Sequence, residues 1–217
     1  MIGIFGGTYN PVHWGHLRTA IEVKNTLSLE KMLLIPCRIP PHRDEPNVSA
    51  ELRLAMLKAA IANNYGLEVD ERELNRPGPS YTVDTLVSIR QEQSNVPLAL
   101  CMGVDAFINL DSWHEWFQLF DLAHIIIVYR PGWHLEDLND NISDTLSLAI
   151  GHRITTNSDQ LHKSANGLVL PLKVTNIDIS SSDIRRRISQ GLSVEKMLPS
   201  EVLEIIKQEN LYQDSIV

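Results

Sequence analysis

Two histidines, His13 and His16, lie within the run GGTYNPVHWGH at residues 6–16. Their three-residue spacing puts both imidazoles on one side of a single helical turn. An imidazole donates a strong hydrogen bond when protonated and a weaker one when neutral, so a pair aimed at a phosphate stabilises growing negative charge. Ahead of them, Gly6 and Gly7 carry no side chains, and the N–H groups of a Gly6-Gly7-Thr8 turn can approach an anion closely. Gly15, between the histidines, leaves room for a flat ring to lie on the backbone. The set suits phosphate chemistry. As a zinc site the pair lacks a third ligand: the run is not H-E-x-x-H, and neither Cys37 nor Cys101 is close in sequence, so no protein metal site is expected.

The elements that must position these groups follow from apolar patterning. Ile2-Gly3-Ile4-Phe5 reads as a first strand, and Leu17, Ala20 and Ile21 mark the buried face of a helix running to about Leu27. A strand, a glycine turn and a helix start thus present the motif. Lys31 to Pro36 reads as a second buried strand, and residues 37–48 hold Pro40, Pro41 and Pro46, which neither a strand nor a helix continues through. This loop leaves the carboxyl edge of a strand, where open α/β sheets bind ligands. Its His42 and Arg43 either reach a phosphate or stand solvated.

Ser49 caps a second helix whose Leu52, Ala55, Met56, Ala59 and Ala60 form a core stripe. Leu67 to Asp70 is a short strand, and Glu71, Arg72 and Glu73 read as a solvated face. Pro77-Gly78-Pro79 forces a turn before a helix that begins near Thr82, offers free N–H groups to an anion, and turns Val83, Leu86 and Val87 inward. Pro97 to Met102 is another buried strand. Asp105, at its carboxyl end, either accepts bonds from ribose hydroxyls or caps the next helix. In the segment that follows, Trp116 and Phe117 read as core, whereas Trp113 stands at a helix start with a face open for stacking.

Ala123 to Tyr129 is a fifth strand, ended by Arg130-Pro131-Gly132; from about 133 to 167 the pattern fades around one helix near Asp144 to Ile150. Further on, Ser180, Ser181 and Ser182 precede an Ile184/Ile188 helical pair, with Gly191 as the stop. One serine suffices for a cap, so three with Arg185 on the first turn read as a second anion site facing the first. A helix from Pro199 to Leu211 closes the pattern.

At 217 residues and 43% hydrophobic content, the chain can bury a full core as one α/β domain, residues 1–217, with a helical portion from about 180 to 217 packed on it. A formal charge of −8 argues against a nucleic-acid partner, so phosphate sites must be local. Two cysteines without paired spacing suggest packing thiols. No long apolar run suggests a leader or a membrane span, and a cytoplasmic location is expected. The alternation of strand and helix to about Tyr129 implies a doubly wound parallel sheet of Rossmann-like type. The glycines do not follow G-x-G-x-x-G, which gives a hydride-transfer reading little support.

The run GGTYNPVHWGH resembles the H-x-G-H signature of the nucleotidyltransferase superfamily, and with the later segments the chain is similar to the bacterial nicotinate-mononucleotide adenylyltransferases. The usual pattern has Phe-Asp where this chain has Tyr9-Asn10. The resemblance implies a nucleotidyltransferase fold and transfer of AMP from ATP to nicotinate mononucleotide. It implies catalytic roles for His13, His16 and Arg185, and ATP contacts from Gly6, Gly7, Thr8, Gly15, Gly103, Asp105, Arg130, Ser181 and Ser182. It further implies that Tyr81 and Thr82 line a pyridine pocket, that Trp113 stacks on the ring, that N–H groups at Trp113 and His114 hold its carboxylate, and that His42 and Arg43 serve the same substrate. Mg2+ is expected to arrive with ATP, since no carboxylate cluster is visible. Two other readings stand beside this one: a nucleotidyltransferase with another acceptor such as pantetheine phosphate, and a nucleotide-binding sensor that does not turn over. Oligomeric state is not legible.

Overall fold

The apolar runs fold into six strands, β1 (Ile2–Gly7), β2 (Lys31–Pro36), β3 (Leu67–Val69), β4 (Leu98–Gly103), β5 (His124–Tyr129) and β6 (Val169–Lys173). The structure is a computed structural model, and it describes residues 1–41, 46–63, 65–129, 141–175 and 177–213. The strands form one sheet in the order β3-β2-β1-β4-β5-β6, every neighbouring pair parallel. Parallel strands are covered on both faces, which is why they read as continuous apolar runs.

The described helices are α1 (Trp14–Thr26), α2 (Ala50–Ala60), α3 (Thr82–Glu92), α4 (Val104–Phe107), α5 (Leu119–Leu122), α6 (Asp144–Ile150), α7 (Ser181–Ser189) and α8 (Ser200–Gln208). Successive strand residues alternate between the two covered faces. Met32 and Leu34 pack with Leu17 and Val23 of α1, Met56 of α2, and Val202 and Ile206 of α8. Leu33 and Ile35 pack instead with Val83 and Leu86 of α3, Phe120 of α5 and Ile150 of α6. Each fully buried Leu, Ile or Phe contributes about 1.5–3 kcal/mol. None of the described helices is long and apolar enough to cross a membrane.

The sheet order makes β1 the pivot. The chain runs outward through β2 and β3, then returns to lie on the other side of β1 as β4. The switch point therefore lies at the carboxyl ends of β1 and β4, where doubly wound sheets bind nucleotides. Gly6 and Gly103 lie at those ends, and a Cβ on either would meet nothing within 4 Å. Exposed backbone without side chains stands at the switch point.

Several expectations need correction. The stripe on α2 is rotated: Arg53, Met56, Leu57 and Ala60 are buried, while Ala55 is exposed. On α3 the inward residues are Val83, Thr85, Leu86 and Ile89, and Val87 is exposed, because the buried face advances by three and four residues from Val83 and Leu86. Glu73 is buried instead of lying on a solvated face. No continuous helix runs through residues 110–118. Two 3-10 turns, Leu110–Ser112 and Trp116–Gln118, bracket an extended Trp113, and this geometry leaves Phe117 exposed. Strand β6, absent from the sequence reading, carries Pro171 and lies at the sheet edge, where a missing N–H is tolerated.

Candidate active site

The motif begins where β1 ends and finishes inside α1. His13 is the residue preceding α1, in extended conformation, and His16 sits in the first turn. Their rings stack with centroids 3.8 Å apart and planes 28° apart. His13 is 5% exposed, so the pair presents one buried and one half-buried imidazole. A cation on either ring would be felt strongly by the other at this separation.

Two features hold the pair. Tyr9, fully buried and in the left-handed region at φ 49°, sets the edge of its ring against His16 at 5.2 Å. Its hydroxyl donates to the Phe5 carbonyl at 2.6 Å, a bond that a phenylalanine would lack. Gly7 lies against that ring, since a Cβ there would come 3.1 Å from it. Gly15 is needed for a reason other than the open ring site expected. A Cβ there would meet His13 Nδ1 at 2.8 Å and the Ile179 carbonyl at 3.3 Å. The ring lying on the Gly15 backbone is that of His13, and the Ile179 carbonyl of the segment that leads into the serines approaches the same glycine.

That segment and its helix close on the motif. Ser180 is the cap of α7, accepting from the Asp183 N–H at 3.1 Å. Ser181 Oγ donates to the Pro11 carbonyl at 2.9 Å, and Arg185 Nη1 donates to the Asn10 carbonyl at 2.8 Å. Arg185 Nη2 also reaches Ser182 Oγ at 3.3 Å. The three serines thus have three different partners, and Arg185 and the histidine loop meet directly. Arg186 and Arg187 turn to Asp183, whose carboxyl these two arginines hold below its usual range. Two further contacts come from the chain's end: the Trp14 N–H donates to the Met197 carbonyl at 3.0 Å, and the Tyr212 hydroxyl donates to Asn10 Oδ1 at 2.6 Å.

On the other flank of β1, α2 supplies Arg53. It is 1% exposed, and its guanidinium donates to the carbonyls of Thr8 and Cys37 at 2.8 Å, Arg38 at 3.1 Å and Val48 at 3.3 Å. Among the described residues no carboxylate lies within ion-pair distance of it. It ties the glycine turn to both ends of the 37–48 loop. Cys37 and Cys101 are free thiols, and burial pushes both up, Cys101 to about 12.

The segments expected around the pyridine also come together. The rings of Tyr81 and His114 lie 4.3 Å apart. Thr82 opens α3 after Tyr81. Behind them, Arg76 Nη2 donates to the Tyr81 carbonyl at 3.2 Å, Thr85 Oγ1 donates to Glu73 Oε1 at 2.6 Å, and the Arg38 N–H donates to Ser80 Oγ at 2.9 Å. Burial raises the Glu73 carboxyl, against the downward pull of bonds from Thr85 and Ser80. Trp113 is half-buried against the second core, and its N–H donates to the Leu110 carbonyl at 3.0 Å, so the helix-start description of it is corrected. Asp105 is exposed in the first turn of α4, beside Gly103.

Of the residues singled out from sequence, His42, Arg43 and Arg130 lie outside the described residues. Arg53, Glu73, Arg76 and Tyr212 were not foreseen. An arginine three residues before the buried Met56 was a readable signal for Arg53; Tyr212 had none beyond its aromatic ring. Among the described residues no group of three His, Cys, Asp or Glu side chains could hold a metal ion.

Comparison with known proteins bears on the same segments. The profile of the cytidylyltransferase-like family matches residues 4–187, which spans both the histidine run and Arg185. A protein of Methylococcus capsulatus named "Probable nicotinate-nucleotide adenylyltransferase" is 45% identical over 213 residues, covering 98% of this chain and 99% of its own. One of the same name from Halorhodospira halophila is 41% identical over 211 residues, 97% of this chain and 94% of its own. Among solved structures, the Plasmodium falciparum nicotinic acid mononucleotide adenylyltransferase complexed with NaAD superposes with a TM-score of 0.73 at 17% identity, covering 100% of this chain and 98% of that one. Identity that low speaks for the fold alone.

Proposed function

The chain belongs to the cytidylyltransferase-like family and, within it, to the nicotinate-nucleotide adenylyltransferases, and from that premise we infer how its site works. The reaction is adenylyl transfer from ATP to nicotinate mononucleotide in NAD biosynthesis, giving deamido-NAD and pyrophosphate. A bond forms between a phosphate oxygen of the mononucleotide and the α-phosphorus of ATP. The bond from that phosphorus to the oxygen bridging to the β-phosphate breaks, and pyrophosphate leaves with those electrons.

The observation that carries the site assignment is the direct bond from Arg185 to the Asn10 carbonyl, which brings an arginine to the loop bearing the stacked His13 and His16. The attacking oxygen is ionised at neutral pH, so no general base is needed. What remains is alignment of two phosphates and stabilisation of charge at the α-phosphate. His13, His16 and Arg185 donate there, with backbone N–H groups of Gly6, Gly7 and Thr8 alongside. Ser181 and Ser182 contribute to ATP binding, and Gly103 and Asp105 take the adenosine ribose. Tyr81, Thr82, Trp113 and His114 surround the pyridine.

The residues present fit a divalent cation carried by the nucleotide, since the described chain offers donors to phosphate and no three-ligand cage. When bound, Mg2+ would neutralise phosphate charge. The whole chain acts as one nucleotidyltransferase domain in this reading, and its location is cytoplasmic.

The test is pyrophosphate release from ATP and Mg2+, with nicotinate mononucleotide compared with its amide, nicotinamide mononucleotide, over a concentration series. A much higher kcat/KM for the acid supports the whole reading, because the Trp113 N–H is held by Leu110 and the remaining donor proposed for the carboxylate, the His114 N–H, favours an anion over a neutral amide. Equal values would keep the enzyme class and refute the pocket. Release with neither would overturn the acceptor assignment.

A further inference from the structure

Among the described residues, Asn10 is the one in the histidine loop that receives a bond on its backbone from α7 and another on its side chain from the turn after α8. Arg185 Nη1 donates to its carbonyl at 2.8 Å, and the Tyr212 hydroxyl donates to its Oδ1 at 2.6 Å. The two donors stand 27 residues apart in sequence and converge from α7 and from the turn that follows α8. Asn10 thus joins the arginine that faces the phosphates to the loop that carries both imidazoles.

Tyr212 is built to make this bond. Its backbone occupies the left-handed region at φ 63°, uncommon for a bulky side chain, and Asn210, two residues earlier, does so as well at φ 53°. The double reversal turns Tyr212 back onto the sheet, where it packs against the core on the α1 and α2 side. Burial pushes its hydroxyl well up, while Arg185 and Arg53 pull the other way, so the proton needed for donation stays in place at neutral pH. Strain of this kind persists where surrounding contacts fix it, and the contact fixed here is Asn10.

We propose that Tyr212 is a positioning residue for adenylyl transfer: by holding the Asn10 side chain, it fixes the peptide on which Arg185 docks and so sets the arginine against the His13–His16 pair. Tyr212 itself touches no reacting atom. This rests on the adenylyl-transfer reading. Its consequence appears in turnover, because a displacement of the docking peptide misaligns groups that act in the transition state.

The experiment measures pyrophosphate release at saturating ATP and nicotinate mononucleotide for the parent, Tyr212→Phe, Asn10→Ala and the double variant, with a thermal melt of each. Tyr212→Phe keeps the packed ring and removes one hydroxyl. It is expected to lower kcat roughly tenfold, by loss of one fixed hydrogen bond and the alignment it maintains. Asn10→Ala should lower kcat at least as far, and the double variant no further than Asn10→Ala. Parent-level kcat in Tyr212→Phe would overturn the proposal, as would multiplicative losses in the double variant. A lower melting temperature with unchanged kcat at 25 °C would show a structural role alone and would overturn it too. Absence of release by the parent enzyme would instead overturn the reading beneath the proposal, and the proposal with it.

Discussion

Arg53→Met removes the guanidinium that joins the glycine turn to the loop after β2. In the folded protein that group is 1% exposed and satisfies four carbonyls, those of Thr8, Cys37, Arg38 and Val48. Methionine fills much of the volume and donates nothing. Each carbonyl left without a partner costs about 1–3 kcal/mol when buried, and the lower figure applies where water can enter. Four at about 1 kcal/mol each give about 4 kcal/mol, and relief from burying an ionised group offsets part of that. A net loss of about 3 kcal/mol follows, which for a chain of this length lowers Tm by about 6–12 °C. Differential scanning fluorimetry and urea titration, read together, measure it. Arg53→Lys should fall between parent and Met, since a single ammonium cannot span four acceptors. Because Thr8 belongs to the turn proposed to meet phosphate, KM for ATP should rise in the Met variant. A Tm within about 2 °C of the parent, less than 1 kcal/mol by the same conversion, would refute the role given to the guanidinium.

Other outcomes follow from the same geometry. His16→Ala is expected to lower kcat on the order of a hundred- to a thousandfold, the effect of removing one transition-state donor, and near-parental turnover would exclude His16 from the mechanism. Tyr9→Phe loses the bond to the Phe5 carbonyl, about 1 kcal/mol or 2–4 °C in Tm, yet keeps the ring against His16, so kcat should stay within about twofold. Glu73 gives a pH signature. Burial raises its carboxyl above the ordinary 4.5, so the folded state holds that proton more tightly than the unfolded state. Its contribution to stability is full below the ordinary value and is lost as pH rises through the raised one. For Glu73→Gln the Tm difference, variant minus parent, should therefore climb as the pH rises above 4.5; a flat or falling difference would refute the assignment.

The parallel sheet was legible because each inner strand is covered on both faces and so reads as an unbroken apolar run, as in KMLLIP and HIIIVY. Of the two edge strands β3 was read and β6 was not, since VLPLK carries a proline that only an edge accommodates, and edge position is a property of the whole sheet. A similar limit explains α2. Apolar periodicity assumes that buried positions are apolar, and Arg53 violates it by bonding to carbonyls that lie 5 to 45 positions earlier in the chain. The rotated stripe and the missed arginine are one error with one physical cause.

The site divides along the same line. Groups expected to face phosphate sit in two short runs, because a strand end, a turn and a helix start are each set by a few neighbouring residues. Local spacing therefore singled out His13, His16 and Arg185 as candidates. The groups that hold those runs against each other are long-range by necessity: Ser181 reaches back 170 positions to Pro11, Arg185 175 to Asn10, and Tyr212 202 to the same residue. Two of these three bonds end on backbone carbonyls, acceptors that any sequence supplies, and the third on the Asn10 side-chain oxygen far away in sequence, so local spacing carries no trace of them. A motif search thus recovers the groups proposed to do chemistry and misses those that hold their two runs together. For this chain, variants at Arg53 and Tyr212 should change activity as clearly as some variants inside the histidine run, although neither residue belongs to the motif.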